Sequence, residues 1–226
     1  MAKKIQKENI VGCFESLTDE QLEFLTKNKV DLKYNKKEII AKQGSYTSHI
    51  IFVRTGYLKL YIESEFDSKD LIINIFGPKQ LIGLSSLFEN TTYQYSVSSL
   101  VETEVCLFEI KDFKEVISTN ADFAMSLLKR SHKSTIHAYN QMFNLTHKHL
   151  NGKMASAILY LSQQVFNNNK FEMLLSRNEM ANFTAMSMMS AVRAINDLKQ
   201  QNIISDNNGI IEILDIKALE KISKFG

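Results

Sequence analysis

Between Asn120 and His149 the chain carries no glycine and no proline, whereas residues 31–110 are cut into short apolar runs by Gly44, Gly56 and Gly77-Pro78. The uninterrupted stretch predicts a helix about 45 Å long. The interrupted one predicts many short strands, hence a β-sandwich, jelly roll or barrel. Those runs are Glu38-Ile39-Ile40, Ile50 to Val53, Tyr57 to Ile62, Leu71 to Phe76, Tyr95-Ser96-Val97 and Val105 to Phe108. Ahead of them, residues 18–28 predict a short helix, with Thr18 as N-cap, Gln21 three positions on, and Leu22 and Leu25 on one face. The fold class is α+β.

Within the long helix, Met125, Leu128, Tyr139, Met142 and Leu145 recur at 3- and 4-residue steps. They form a stripe suited to a partner helix, and His132 and Thr135 break it as a polar seam that sets register or leaves room for a ligand. The alternative is a helix packed on its own β domain; length and late position favour dimerisation. Asn151-Gly152 marks the expected hinge, since glycine is permissive where one helix ends and the next begins. An amphipathic helix then resumes over residues 153–166, followed by a loop at Asn167–Asn169 and a brief extended piece from Phe171 to Leu174.

Residues 176–213 have a more specific pattern. Ser176 with Glu179 forms a capping box opening a short helix, and Ala181 is small where a second helix must cross. Ser187 is a suitable N-cap for that second helix, whose inward face carries Ala191, Ala194, Ile195 and Leu198. Two short helices joined this way predict a helix-turn-helix, the second helix entering a DNA major groove. Ile203-Ile204-Ser205 and Ile210 to Ile213 flank Asn208-Gly209, a strong hairpin signal and the expected wing.

Composition sets the outer bounds. No run approaches the roughly 20 apolar residues of a membrane span, and Met1-Ala2-Lys3-Lys4 leads into polar sequence without the apolar core of a secretory signal. Cys13 and Cys106 form no CxxC pair, which suits a reducing cytoplasm and not an iron–sulfur cluster, which needs about four thiolates. The net charge is only +2, yet no Asp or Glu occurs from Phe123 to Phe171 while six Lys/Arg do, an asymmetry that suits a polyanion or a solvated face. No P-loop, GxGxxG or GxSxG occurs, and Gly83-Leu84-Ser85-Ser86-Leu87 fails the last at its fifth residue, so no enzyme is expected. The β region holds one histidine, His49, too few for a metal triad.

Leu81 to Phe88, Ser176 to Ala181 and Leu198 to Ser205 together resemble the cyclic-AMP receptor/FNR family of bacterial regulators, over essentially the whole length. The resemblance implies a double-stranded β-helix of the cupin type over residues 1–119, a dimerisation helix over 120–150 and a winged helix over 151–226. It also implies a homodimer on double-stranded DNA, with RNA polymerase as a further partner. Cyclic-nucleotide binders of the family have a Glu after the cassette glycine and an Arg before a Ser. Here Leu84 and Tyr95 stand at those positions beside Gly83 and Ser96, so cyclic AMP is not the expected effector. FNR-type cysteines are absent. The effector region implied is Gly83, Leu84, Ser85, Ser86, Tyr95 and Ser96, close to Ala138 and Tyr139. It would take another small molecule or none, with haem on a His or Met of the β domain as the gas-sensing alternative.

At the reading helix, Arg193 matches the family's guanine-binding Arg, while Met189, preceded by Met188, replaces its Glu. Paired methionines contact thymine methyls or read shape, or else they are core. Arg177, Ser187 and Ser190 complete the implied DNA-binding set, with Ser187 and Ser190 as phosphate contacts. Ala185 stands where the family's turn has Gly, which costs on the order of 1 kcal/mol if that backbone stays left-handed. The rival reading is a regulator with degenerate DNA reading that acts through protein contacts. The DNA domain's small surplus supports it: eight Lys/Arg against seven Asp/Glu from Asn151 to Gly226.

Overall fold

A computed structural model of the chain describes residues 13–65, 69–88 and 92–226; the Met1–Lys4 segment lies outside the described residues. The chain divides into two compact units, one of residues 1–59 and 76–136, the other of residues 60–75 and 137–226.

The first unit holds most of the β-roll, of which residues 60–75 fall in the second unit. Helix α1 (Asp19–Lys27) opens as expected: Thr18 Oγ1 accepts from the Gln21 N–H and Gln21 Oε1 from the Thr18 N–H, each at 3.2 Å. The strands are β1 (Val30–Tyr34), β2 (Ile39–Ala41), β3 (His49–Thr55), β4 (Leu58–Ile62), β5 (Leu71–Phe76), β6 (Leu81–Ile82), β7 (Ser96–Ser99) and β8 (Thr103–Glu109). They form two four-stranded sheets, ordered β1-β8-β3-β6 and β2-β7-β4-β5.

Strand β3 is an unbroken apolar run because both its faces are covered. Ile50 and Phe52 join an aromatic core with Phe14, Phe108, Phe113 and Phe123, and Ile51 and Val53 are buried as well. Phe113 belongs to α2 (Ile110–Thr119), and Phe123 to the long helix α3 (Ala121–His147). Asn120 separates these helices, its Oδ1 accepting the Phe123 N–H at 2.9 Å.

The second unit holds the end of α3 and the C-terminal elements. Helix α4 (Leu150–Tyr160) follows with His149 as N-cap, then a π-helical turn, Leu161–Phe166. The chain therefore breaks at Lys148-His149, and the expected hinge at Asn151-Gly152 is corrected: both residues lie inside α4. Gly152 serves packing, because a Cβ there would run into the backbone of Gly226, the C-cap of α7 (Ile216–Phe225).

Near the end of α3, His137 stacks on Tyr160 with ring centroids 4.5 Å apart. The Tyr160 phenol donates to Asn74 Oδ1 (2.5 Å), and Gln141 Nε2 donates to the Phe183 carbonyl (3.1 Å). Burial lowers the His137 pKa and pushes the Tyr160 phenol up to about 12, so both rings are neutral near pH 7. Strands β9 (Lys170–Glu172), β10 (Ile204–Asn207) and β11 (Ile210–Ile213) form a three-stranded sheet in the order β10-β11-β9.

Candidate nucleic-acid interface and effector cassette

Two helices make the reading head, α5 (Arg177–Phe183) and α6 (Met188–Gln200). The Ser176–Glu179 capping box is present, with Glu179 Oε2 accepting the Ser176 N–H at 2.9 Å. Met180, Ala181 and Phe183 point inward, and Ala181 is small enough for α6 to cross. The turn is held by Met186 N–H donating to the Ala181 carbonyl (2.9 Å) and by Ala185 in the left-handed region at φ 48°. Ser187 caps α6 by accepting the Ser190 N–H at 3.1 Å, and the two hydroxyls are themselves bonded at 2.9 Å. Ala191, Ala194 and Leu198 are buried and Ile195 half-buried, as the helical period requires.

The opposite face of α6 is open. Met189 is 81% exposed and Met188 51%, whereas Met154, Met180 and Met186 are core. The packing reading of the methionine pair is thereby overturned. Met188, Met189, Val192, Arg193, Asn196, Asp197 and Gln200 line a shallow groove of about 530 Å³ together with Arg177 from α5. No acidic residue lies in the first turn of α6. Glu179 is taken up by its capping box, and Asp197 lies 3.5 Å from the Asn151 amide. Among the described residues neither Arg177 nor Arg193 makes an ion pair. What the groove offers is two guanidinium forks free of ion pairs, the apolar side chains of Met188, Met189 and Val192, and one carboxylate, Asp197. Beside it, Asn208 and Gly209 take positive φ (55° and 85°) at the tip of the β10–β11 hairpin, the conformation of a type I′ turn.

Along α3, Met125, Leu128, Tyr139 and Met142 are exposed, as the stripe predicts. Ile136 and Phe143 join them, Leu145 is half-buried, and Ala138 is exposed. Phe123 and Leu127 face the opposite way, into the β-roll core.

The cassette is built differently. Strand β6 ends at Gly83, whose φ of 98° only glycine adopts easily, and Leu84–Leu87 continue as a 3₁₀ turn. Burial raises the Tyr95 pKa, an effect that neighbouring Ser85 and the Gly83 backbone oppose. Tyr93 packs against Tyr95 with ring centroids 6.0 Å apart, and its hydroxyl donates to the His49 carbonyl at 3.2 Å. Burial pushes the Tyr93 phenol up to about 12. Ser96 is 0% exposed, and its hydroxyl accepts the Gln43 N–H at 2.8 Å. Ser86 is buried and Leu84 half-buried.

Neither Tyr93 nor Gln43 is a candidate from sequence, and His49 enters there only as the lone histidine of the β region. The one available signal was the Tyr-x-Tyr spacing, which puts Tyr93 and Tyr95 on one side of an extended segment.

Residues 31–120 match the family model of the cyclic nucleotide-binding domain, and residues 152–222 match that of the Crp-like helix-turn-helix domain. The transcriptional activator protein anr of Pseudomonas aeruginosa is 24% identical over 184 residues, covering 80% of this chain and 75% of the relative. The cAMP-activated global transcriptional regulator CRP of Salmonella typhimurium is 23% identical over 200 residues, covering 87% and 95%. The solved structure of FixK2 from Bradyrhizobium japonicum superposes with a TM-score of 0.79 at 17% identity, covering 86% of this chain and 96% of that one.

Proposed function

The chain belongs to the Crp/Fnr family of transcription regulators, and from that premise we propose that two copies pair along the exposed stripe of α3 and read a two-fold symmetric DNA site. Arg193 takes a guanine through its two parallel N–H donors. Arg177, Ser187 and Ser190 hold phosphates, and Met188 and Met189 lie against base methyls. Pairing along α3 spaces the two reading helices about one DNA turn apart. The bound dimer then acts on RNA polymerase at the promoter. Its work is binding rather than catalysis.

The observation that carries this reading is the separation of roles in α6. Its buried face and caps hold the fold, while Arg193 and Met189 are exposed with no internal partner competing for the guanidinium. Regulatory input comes through the cassette of Gly83, Leu84, Ser85, Ser86, Tyr95 and Ser96. Any effector acts only through its differential affinity for two domain arrangements.

The test is selection of bound genomic fragments by the purified protein, repeated with Arg193→Ala at two salt concentrations. The expected result is a two-fold symmetric site, weakened by about 1–3 kcal/mol on Arg193→Ala and falling steeply with salt. Fragments recovered equally well by Arg193→Ala would sink the proposal.

A further inference from the structure

The break between α3 and α4 consists of Lys148 and His149, and both are tied to the elements that follow. Lys148 Nζ donates to the Ser156 hydroxyl of α4 at 2.7 Å and to the Ser223 hydroxyl of α7 at 3.4 Å. Among the described residues Lys148 makes no ion pair, so these hydroxyls are what hold its ammonium. Ser156 donates to the Gly152 carbonyl at 2.7 Å. A hydroxyl has one proton, so in the 2.8 Å contact between Ser156 and Ser223 the donor is Ser223. Ser156 therefore gives one hydrogen bond and accepts two, the full capacity of its hydroxyl. The backbone closes the same corner: the His149 N–H donates to the Gly226 carbonyl at 3.3 Å, and Gly152 has no Cβ to collide with it. From α4 the connection runs on to the reading helix, where Asn151 Nδ2 lies 3.5 Å from Asp197 Oδ2. Residues 137–226, which include all of these groups, belong to one compact unit.

We propose that Lys148 is a positioning residue that sets which half-site spacing the dimer accepts: with Ser156 and Ser223 it fixes the angle between the end of α3 and α4, and hence where α6 is presented. This rests on the DNA-reading function proposed above and deepens it by naming what sets its spacing specificity. One base pair more or less moves a half-site by about 3.4 Å along the duplex and turns it by roughly 35°. A dimer joined along α3 follows such a change by bending where α3 meets α4, and bending there separates Lys148 from its hydroxyls. The three contacts share their atoms and break together. The penalty for a wrong spacing then includes the lock, a factor of about ten in affinity for a hydrogen bond from a charged donor.

Two readouts test this. In the first, the full chain is titrated with its selected two-fold site, with copies carrying one base pair inserted or removed at the centre, and with a duplex holding a single half-site. Lys148→Met keeps an apolar stem of similar length and loses the donors. Its discrimination between the site and the altered copies is expected to be about tenfold smaller than that of wild type, with affinity for the single half-site unchanged. Ser156→Ala removes the shared acceptor instead and is expected to shift the discrimination in the same direction. The second readout is amide exchange at His149, expected to be about tenfold faster in both variants than in wild type.

Wild-type spacing discrimination in both variants would overturn the inference, and so would wild-type exchange at His149. Equal weakening on every duplex, the single half-site included, would also overturn it, because Lys148 would then serve stability alone. The exchange measurement needs no DNA. A failure of DNA reading, seen as indifference to Arg193→Ala, is thereby distinguishable from a failure of the lock. If Lys148→Met does not fold, Ser156→Ala decides.

Discussion

The reading helix and the cassette treat their outward residues in opposite ways. On α6, the side chains that maintain the fold and the side chains that face outward are different residues. Ser187 caps the helix, Ala191, Ala194 and Leu198 pack, and Met189 and Arg193 are free of both tasks. In the cassette the two tasks fall on the same side chains: Ser96 stands where a ligand contact is expected, yet it is wholly buried and accepts the Gln43 N–H, and Tyr93, packed against Tyr95, is anchored to the His49 carbonyl. A surface of the first kind is open to a partner without rearrangement. A surface of the second kind must first break its own bonds, so its response to a ligand carries that cost. Within one chain, the reading helix keeps its outward groups free, whereas the cassette commits Ser96 and Tyr93 to the fold.

The largest expected effect breaks this contrast at its base, by removing the packing under α6. Phe183 is wholly buried and lies 5.7 Å from the Tyr160 ring, centroid to centroid. Phe183→Ala should cost about 3–5 kcal/mol. It should abolish DNA binding and release amides of α5 and α6, while β3 and β8, packed on their own phenylalanine core, stay protected. Hydrogen exchange followed by mass spectrometry reads both regions in one sample. Equal loss of protection in β3 and β8 would mean that the two regions do not stand independently.

What the sequence made legible follows the same division. The reading head is specified by local spacing: the Ser176 capping box, the Ser187 cap, the Asn208-Gly209 turn and the left-handed Ala185 all depend on residues close in sequence. Those expectations hold. The cassette network depends on Gln43 meeting Ser96 across 53 positions and Tyr93 meeting His49 across 44, and no periodicity encodes such pairings.

Strand β1 was missed for a related reason. Val30-Asp31-Leu32-Lys33-Tyr34 alternates, but the run is short and bounded by lysines and asparagines, and as an edge strand it leaves Val30 and Leu32 exposed. Gly152 misled because a glycine needed for close approach of two helices looks, in sequence, like a glycine needed for a bend.

A smaller effect sharpens the claim that Met189 is free for base contact. Replacing a thymine by uracil within the selected half-site removes one methyl and leaves every hydrogen-bonding group in place. If Met189 rests on that methyl, the loss is about 0.8 kcal/mol, roughly a fourfold weaker Kd. Met189→Ala should bind thymine and uracil sites alike. Competition binding with uracil placed at each thymine in turn locates the contact. Uniform indifference to uracil would leave Met189 as a reader of shape only.

The smallest effect concerns Ala185, which holds a φ of 48° between α5 and α6. A side chain with a Cβ pays about 1–2 kcal/mol for that conformation, and Ala185→Gly relieves it. The gain is partly offset because glycine also frees the unfolded chain, by about 0.4–1 kcal/mol. The net expectation is a rise in stability of up to about 1 kcal/mol, read as a higher urea midpoint at unchanged slope. DNA affinity should not change, because the turn is already in the geometry that α6 requires and α6 itself is untouched. A variant more stable yet weaker on DNA would show that α6 must shift on binding and that the alanine holds the turn ready for it. In that case the reading head, like the cassette, would have to break a resting arrangement before it works, and the contrast between the two regions would become one of degree.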